Sequence, residues 1–340
     1  MYFDSDKKQD RSLKPGSVLL LVGLLLSLLS HGQETMKFLK DYQGKAVYTY
    51  TKPGADYLQN YTPAEESVVK AKLESISRYL QTSPLIHSPK GNDVLITSML
   101  SENLSKEKWC KSLRMEMNVI LSPWYLKNGK PACDCSAYKV GFDLKLNHPE
   151  MAFNGRSSAA GDNVCDADGL TIYFEPQEIG EQDGCKIYDN SIIIITNGKP
   201  LWVPVTVKEY DEALIRCFEK EKEQQPEEAM VIDIYLKKIR EEMATFSAEE
   251  LNKPAYQSNK MGGSPEKIEG SQQLVKLNRA YFDPGKPRTA VQLIVLQCGN
   301  IGLQETGEFY FTDENSSYPT IKLAELLKSL RFSEFKKLLD

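Results

Sequence analysis

Between Asp93 and Ile195 the chain is a succession of short β-rich runs, DVLITSML, RMEMNVILS, YKVGFDLKL, LTIYFEP and SIIIIT. Each is closed off by Gly, Asn, Asp or Pro, residues that end strands and make turns. Asn-Gly, the dipeptide suited to a type I′ hairpin turn, occurs at Asn128-Gly129, Asn154-Gly155 and Asn197-Gly198. Helical patterning lies outside this block. Thr62-Pro63-Ala64-Glu65 is a capping box with Pro at the first helical position, and Val69, Leu73, Ile76 and Leu80 follow at helical spacing. Thr206 and Glu209 form a second capping box ahead of Val207, Tyr210, Leu214, Cys217 and Phe218. Pro226 ends that helix, and the next carries a stripe of Val231, Tyr235, Ile239, Met243 and Phe246. Residues 321–339 read as a closing helix with a kink near Ser333, and 302–307 as a hairpin. Strands segregated from helices predict an α+β fold, mainly an antiparallel sheet with amphipathic helices packed on one face.

Composition narrows what such a fold does. Of 340 residues, 41% are apolar and 26% charged, as in globular proteins, and the net charge of −5 offers no field for nucleic acid. Residues 18–29 read VLLLVGLLLSLL and follow Lys7, Lys8, Arg11 and Lys14. A helix of about 12 residues spans roughly 18 Å, short of the ~30 Å hydrocarbon core. Residues 1–32 are therefore expected to be a signal peptide, cleaved after Ser30-His31-Gly32, with a retained signal anchor as the competing reading. Residues 33–340 would then form a single α+β domain with no stable membrane anchor, secreted or periplasmic. The polar segment 252–270 reads as a mobile loop or linker.

Seven cysteines remain after cleavage. In an oxidising compartment Cys110, Cys133, Cys135, Cys165, Cys185 and Cys298 are disulfide candidates, and Cys217, on an apolar helical face, is the odd buried thiol. A zinc site of Cys133, Cys135, Cys165 and Cys185 competes with that framework, although it lacks C-x2-C knuckles.

Catalytic motifs are scarce. His87 precedes Ser-Pro and His148 precedes Pro, so both read as surface turn residues. No G-x-S-x-G, H-E-x-x-H or G-x-G-x-x-G occurs, and no cofactor is implied. In VCDADGLTIYFE, Asp166, Asp168 and Glu175 stand at calcium-loop positions 3, 5 and 12, but Val164 occupies position 1. An Asp-Gly turn entering a strand is the alternative. Trp124, Tyr125 and Trp202 lie beside the two Asn-Gly-Lys-Pro turns and could contact a ligand or partner. Together these features point to an exported, non-catalytic binding or cell-envelope accessory protein whose partner is a protein or envelope component. The alternative is a secreted hydrolase of an extracellular or envelope polymer using an Asp/Glu pair, with or without calcium.

Overall fold

The structure is a computed structural model that describes residues 37–52, 61–101, 110–133, 139–153, 164–189, 192–257, 262–298, 302–303, 309–310 and 318–340. It is an α+β fold built on an eight-stranded sheet. The strands of that sheet are β1 (Ala46–Thr51), β2 (Asn92–Leu100), β3 (Met115–Pro123), β6 (Val140–Leu146), β8 (Glu178–Gln182), β9 (Cys185–Tyr188), β10 (Ile192–Ile195) and β13 (Ile294–Cys298). Their order is β1-β2-β3-β6-β13-β10-β9-β8, and every pairing is antiparallel except β1 with β2.

Strict alternation decides what each face of this sheet meets. Val94, Ile96, Met117, Val119, Phe142, Leu144 and Leu296 point to one side. There they pack against α1 (Pro63–Leu80), α6 (Tyr318–Ser329) and α7 (Phe332–Lys336) through Leu73, Ile76, Leu323, Leu327 and Phe335, all within 1% of full burial. The stripe predicted for α1 is the one that is buried, and its capping box forms, with Glu65 donating its amide to the Thr62 hydroxyl at 3.2 Å. A short α2 (Pro84–His87) adds Ile86 to this core.

The other face carries a second, smaller sheet of β11 (Trp202–Pro204), β12 (Leu274–Leu277) and β7 (Tyr173–Phe174). Val275 and Leu277 of β12 join Ile192, Ile194 and Val295 in a second core. Leu274 points the opposite way, into a third core with Val207, Tyr210 and Leu214 of α3 (Val207–Gln224) and Ile239 of α4 (Ala229–Met243). The layers thus run helices, large sheet, small sheet, helices. A one-turn α5 (Ala248–Leu251) follows α4, and two short pairs, β4 (Tyr125–Lys127) with β5 (Lys130–Ala132) and β14 (Gly302–Leu303) with β15 (Phe309–Tyr310), complete the described strands and α-helices.

Several expectations change at this level. Asn128 and Gly129 take positive φ, 52° and 73°, in the β4–β5 hairpin, as Asn-Gly predicts. The matching turn at Asn197-Gly198 joins β10 to β11, which lie in different sheets, so it is a crossover and not a hairpin. Asn154-Gly155 lies outside the described residues. On α4 the predicted stripe holds at its C-terminal end, where Ile239 is fully buried and Met243 and Phe246 pack against the third core, but in the first turns Ile232 and Leu236 are buried and Val231 is 45% exposed. The closing helix breaks at Leu330–Arg331, just before Ser333. The 252–270 segment is anchored where it is described: Ala255 is fully buried, and Tyr256 bridges to Ser264 and Gln273.

The disulfide framework requires the largest correction. No disulfide joins any two of the six described cysteines, and Cys135 lies outside the described residues. Cys185 and Cys298 illustrate the reason. They point into the same core, but from β9 and β13, on either side of β10. Register places Cys185 level with Ile195 and Cys298 one step beyond Ile192. Four residues along and two strands across put them well over 10 Å apart, whereas a disulfide needs Cα atoms within about 7 Å. Cys110 belongs to the second core, Cys165 and Cys217 border the third, and Cys133 lies beside Asp93.

Candidate functional site

An open cleft of about 1060 Å³ lies where the β8–β10 edge of the large sheet meets the small sheet. Trp202 supplies its aromatic wall. The ring is positioned by β11, whose register sets Trp202 opposite Leu277, and its indole Nε1 donates to Glu175 Oε1 at 3.1 Å. Edge-on contacts to Tyr188 (5.4 Å between centroids) and Phe153 (5.7 Å) lock it, and Phe153 in turn stacks on Tyr173 at 4.2 Å. Such rings, fixed before any ligand arrives, lose little entropy on binding.

Polar groups surround that wall. Glu178 pairs with Lys186 at 2.6 Å across the β8–β9 hairpin. Burial, with Glu178 and Glu175 nearby, pushes the Tyr188 phenol up to about 12, so it stays protonated. Gln272, Gln273, Asn197 and Ser271 contribute amides and a hydroxyl, and Lys199, Lys267 and Lys336 stand in the lining.

A second polar group occupies β3 and β6 on the same face of the large sheet. Arg114 grips Glu150 through both carboxylate oxygens, at 2.5 and 2.9 Å. Glu116 accepts from Lys145 and from the Ser101 hydroxyl, each at 2.6 Å, and these bonds outweigh burial to hold its carboxyl below the usual range. His148 is buried to within 2%, which corrects its expected place on the surface. Its Nδ1 lies 3.5 Å from Glu150, and its Nε2 stands 3.7 Å from Glu116 with no hydrogen-bond partner. Burial lowers the His148 pKa despite Glu150, so the ring is neutral at pH 7. On the adjoining pair of positions, burial raises the Asp143 carboxyl, Lys145 opposing and Glu116 adding, and Asn118 Oδ1 is buried without a partner.

The residues singled out in the calcium-like loop are held by the protein's own cations. Asp166 Oδ1 accepts the amides of Asp168 and Leu170 at 2.9 Å, closing an Asp-Gly turn with Gly169 at φ 82°. Its Oδ2 pairs with Lys276 at 2.8 Å, and Lys276 also reaches Glu209 at 3.1 Å. Asp168 pairs with Arg279 at 3.1 Å, and Glu175 belongs to the cleft. These three carboxylates do not converge, and no group of three or more metal-ligating side chains occurs among the described residues. For the zinc alternative, Cys133 lies beside Asp93, Cys165 beside Thr171 and Cys185 in the first core, while Cys135 is outside the described residues.

Of the three aromatics, only Trp202 lines the cleft. Trp124 packs tilted against Tyr42, with ring centroids 4.4 Å apart, and donates to Asp93 at 3.0 Å, next to β3 and three strand positions from β10. Tyr125 is buried at 4%. Sequence reasoning missed Tyr188 and every member of the β3–β6 group except His148, which it placed on the surface; these residues are scattered over 50 positions and show themselves only through strand register. Among the described residues no helix is long and apolar enough to cross a membrane. Comparison with protein-family models, with curated proteins and with solved structures found no match to this chain.

Proposed function

We propose that this chain is an exported, non-catalytic binding protein that holds an extended polar polymer in the cleft beside Trp202. One observation carries the reading: an open cleft of about 1060 Å³ walled by a pre-fixed indole and side-chain amides. Enclosed small-molecule pockets bury most of their ligand, whereas an open cleft this large suits a segment of a longer chain. Both of its glutamates already have partners inside the protein, Glu178 in Lys186 and Glu175 in the Trp202 indole, as befits recognition more than turnover. The test is affinity electrophoresis through gels carrying soluble envelope or extracellular polysaccharides. Wild-type protein is expected to be retarded, and Trp202→Ala, run well below its own lowered melting transition, to migrate freely. Free migration of the wild type in every gel would reject the proposal.

The β3–β6 group favours a second reading, a polymer hydrolase. Register pairs Glu116 with Lys145 and Asn118 with Asp143, which makes Glu116 and Asp143 diagonal neighbours. Diagonal positions lie about 7–8 Å apart, inside the roughly 5–9.5 Å that paired glycosidase carboxyls require. Their environments also push them in opposite directions, Asp143 up towards an acid and Glu116 down towards a base. Release of reducing ends by the wild type, abolished in Asp143→Asn, would establish this reading over the first.

A further inference from the structure

Resting on the binding reading of the cleft, we infer that its ligand is an acidic polysaccharide, bearing carboxylate or sulfate groups along a chain of sugar rings. The charge distribution within the cleft carries the inference. Four lysines line it: Lys186, Lys199, Lys267 and Lys336. Lys186 is neutralised by Glu178. Lys336 donates to the Gly184 carbonyl and has no carboxylate among the described residues. Lys199 and Lys267 are exposed, with no side-chain partner among the described residues. On the acidic side, Glu175 accepts from the neutral Trp202 indole and keeps its charge, while the Asp340 carboxylate pairs with Lys72 and accepts the Val291 amide, and its main-chain oxygen accepts from Lys286. Lys199, Lys267 and Lys336 outnumber the charge of Glu175, so the cleft is locally cationic in a chain whose net charge is −5. Such a local excess of positive charge attracts an anion against the sign of the net charge.

The sugar part follows from the uncharged lining. Gln272, Gln273, Asn197, Ser271 and Thr196 offer paired donors and acceptors of the kind that ring hydroxyls satisfy, next to the Trp202 and Tyr256 rings. An acidic peptide would need either a strand edge to extend or an apolar pocket for an anchoring side chain. The edge strand here, β8, changes register between Glu178 and Gly180 and exposes Glu178 and Glu181, features that discourage strand addition.

The experiment compares gel retardation by polygalacturonate, dextran sulfate, neutral dextran and poly-glutamate. Four proteins are run: wild type, Trp202→Ala, the double variant Lys199→Glu/Lys267→Glu, and a control, Lys237→Glu/Lys238→Glu, which changes net charge equally on α4 away from the cleft. The inference predicts wild-type affinity for either acidic polysaccharide at least about tenfold above that for dextran, lost in the cleft double variant and kept in the control. Raising NaCl from about 50 to about 500 mM is expected to weaken it by a similar factor. Equal retardation by dextran, unaffected by the lysine changes but lost in Trp202→Ala, would overturn the acidic class and leave the binding cleft standing. Preference for poly-glutamate would overturn the sugar assignment. Retardation that survives both Trp202→Ala and the cleft double variant, or no retardation at all, would overturn the inference and the binding reading together.

Discussion

Asp211 has no exposed surface, yet it lies on α3 between Tyr210 and Glu212 with nothing in its neighbours to mark it. Its Oδ1 accepts the Gly263 amide at 2.8 Å, and Oδ2 has no partner. Gly262 packs so close that a Cβ there would meet Oδ1 at 2.8 Å. Burial pushes the carboxyl up to about 7, with the Gly263 bond opposing and Glu242 adding. A folded pKa above the unfolded value means that the folded state binds the extra proton between about pH 4 and pH 7. Stability from this group is therefore full below about pH 4 and lost as pH rises through 7. His148, lowered by burial, acts in the opposite sense as pH falls through its range, so the useful quantity is a difference between two proteins. Urea midpoints from pH 4.5 to 8 should show wild type losing stability relative to Asp211→Asn, by on the order of 3 kcal/mol across the range. Parallel curves would mean that Asp211 is ionised throughout. Neither Asp211 nor His148 was legible in the sequence. Both are buried by segments far along the chain, Gly262–Gly263 for one and Arg114 with Glu116 for the other, and local polarity alone argues for the surface.

At the scale of elements, legibility followed the range of the interaction. Capping boxes are local, and both read from the sequence form, at Thr62 and at Thr206. Only the first turns of α4 depart from the predicted stripe, because two apolar series, Val231 with Tyr235 and Ile232 with Leu236, run side by side there before converging on Ile239. Periodicity cannot choose between them; packing against α3 does. The disulfide expectation failed for a related reason, since cysteine spacing says nothing about which strand separates two thiols. The two caps also differ in what depends on them. Glu65 of the first box pairs with Arg288 at the surface. Glu209 of the second accepts from Thr206 and from Lys276, and Lys276 balances Asp166, whose side chain is 4% exposed. Thr62→Ala is expected to cost about 1 kcal/mol in chemical denaturation. Thr206→Ala should cost about 2 kcal/mol, at the top of the range for caps, because it also loosens the acceptor that helps hold Lys276 over Asp166. Equal losses would show that the Lys276 network stands without the cap.

Whether the molecule melts as one body depends on strands that serve two cores at once. Ile193 and Ile195 of β10 point into the first core, and Ile192 and Ile194 of the same strand into the second. On β12, Val275 joins the second core and Leu274 the third. No core can therefore lose its packing without releasing a strand on which its neighbour depends, and Tyr256, bridged to Gln273, ties the cleft wall to the same strand. A single calorimetric transition is expected, with its enthalpy equal to the van't Hoff value. Leu274→Ala removes a fully buried side chain and should cost about 2–5 kcal/mol. Its diagnostic effect lies in where the loss appears. If the cores are coupled through β10 and β12, helical and aromatic circular dichroism will shift together to the same lower midpoint. If α3 and α4 form a separate unit, the substitution will split the transition, lowering part of the helical signal while Ile193, Leu296 and the rest of the first core melt where they did before.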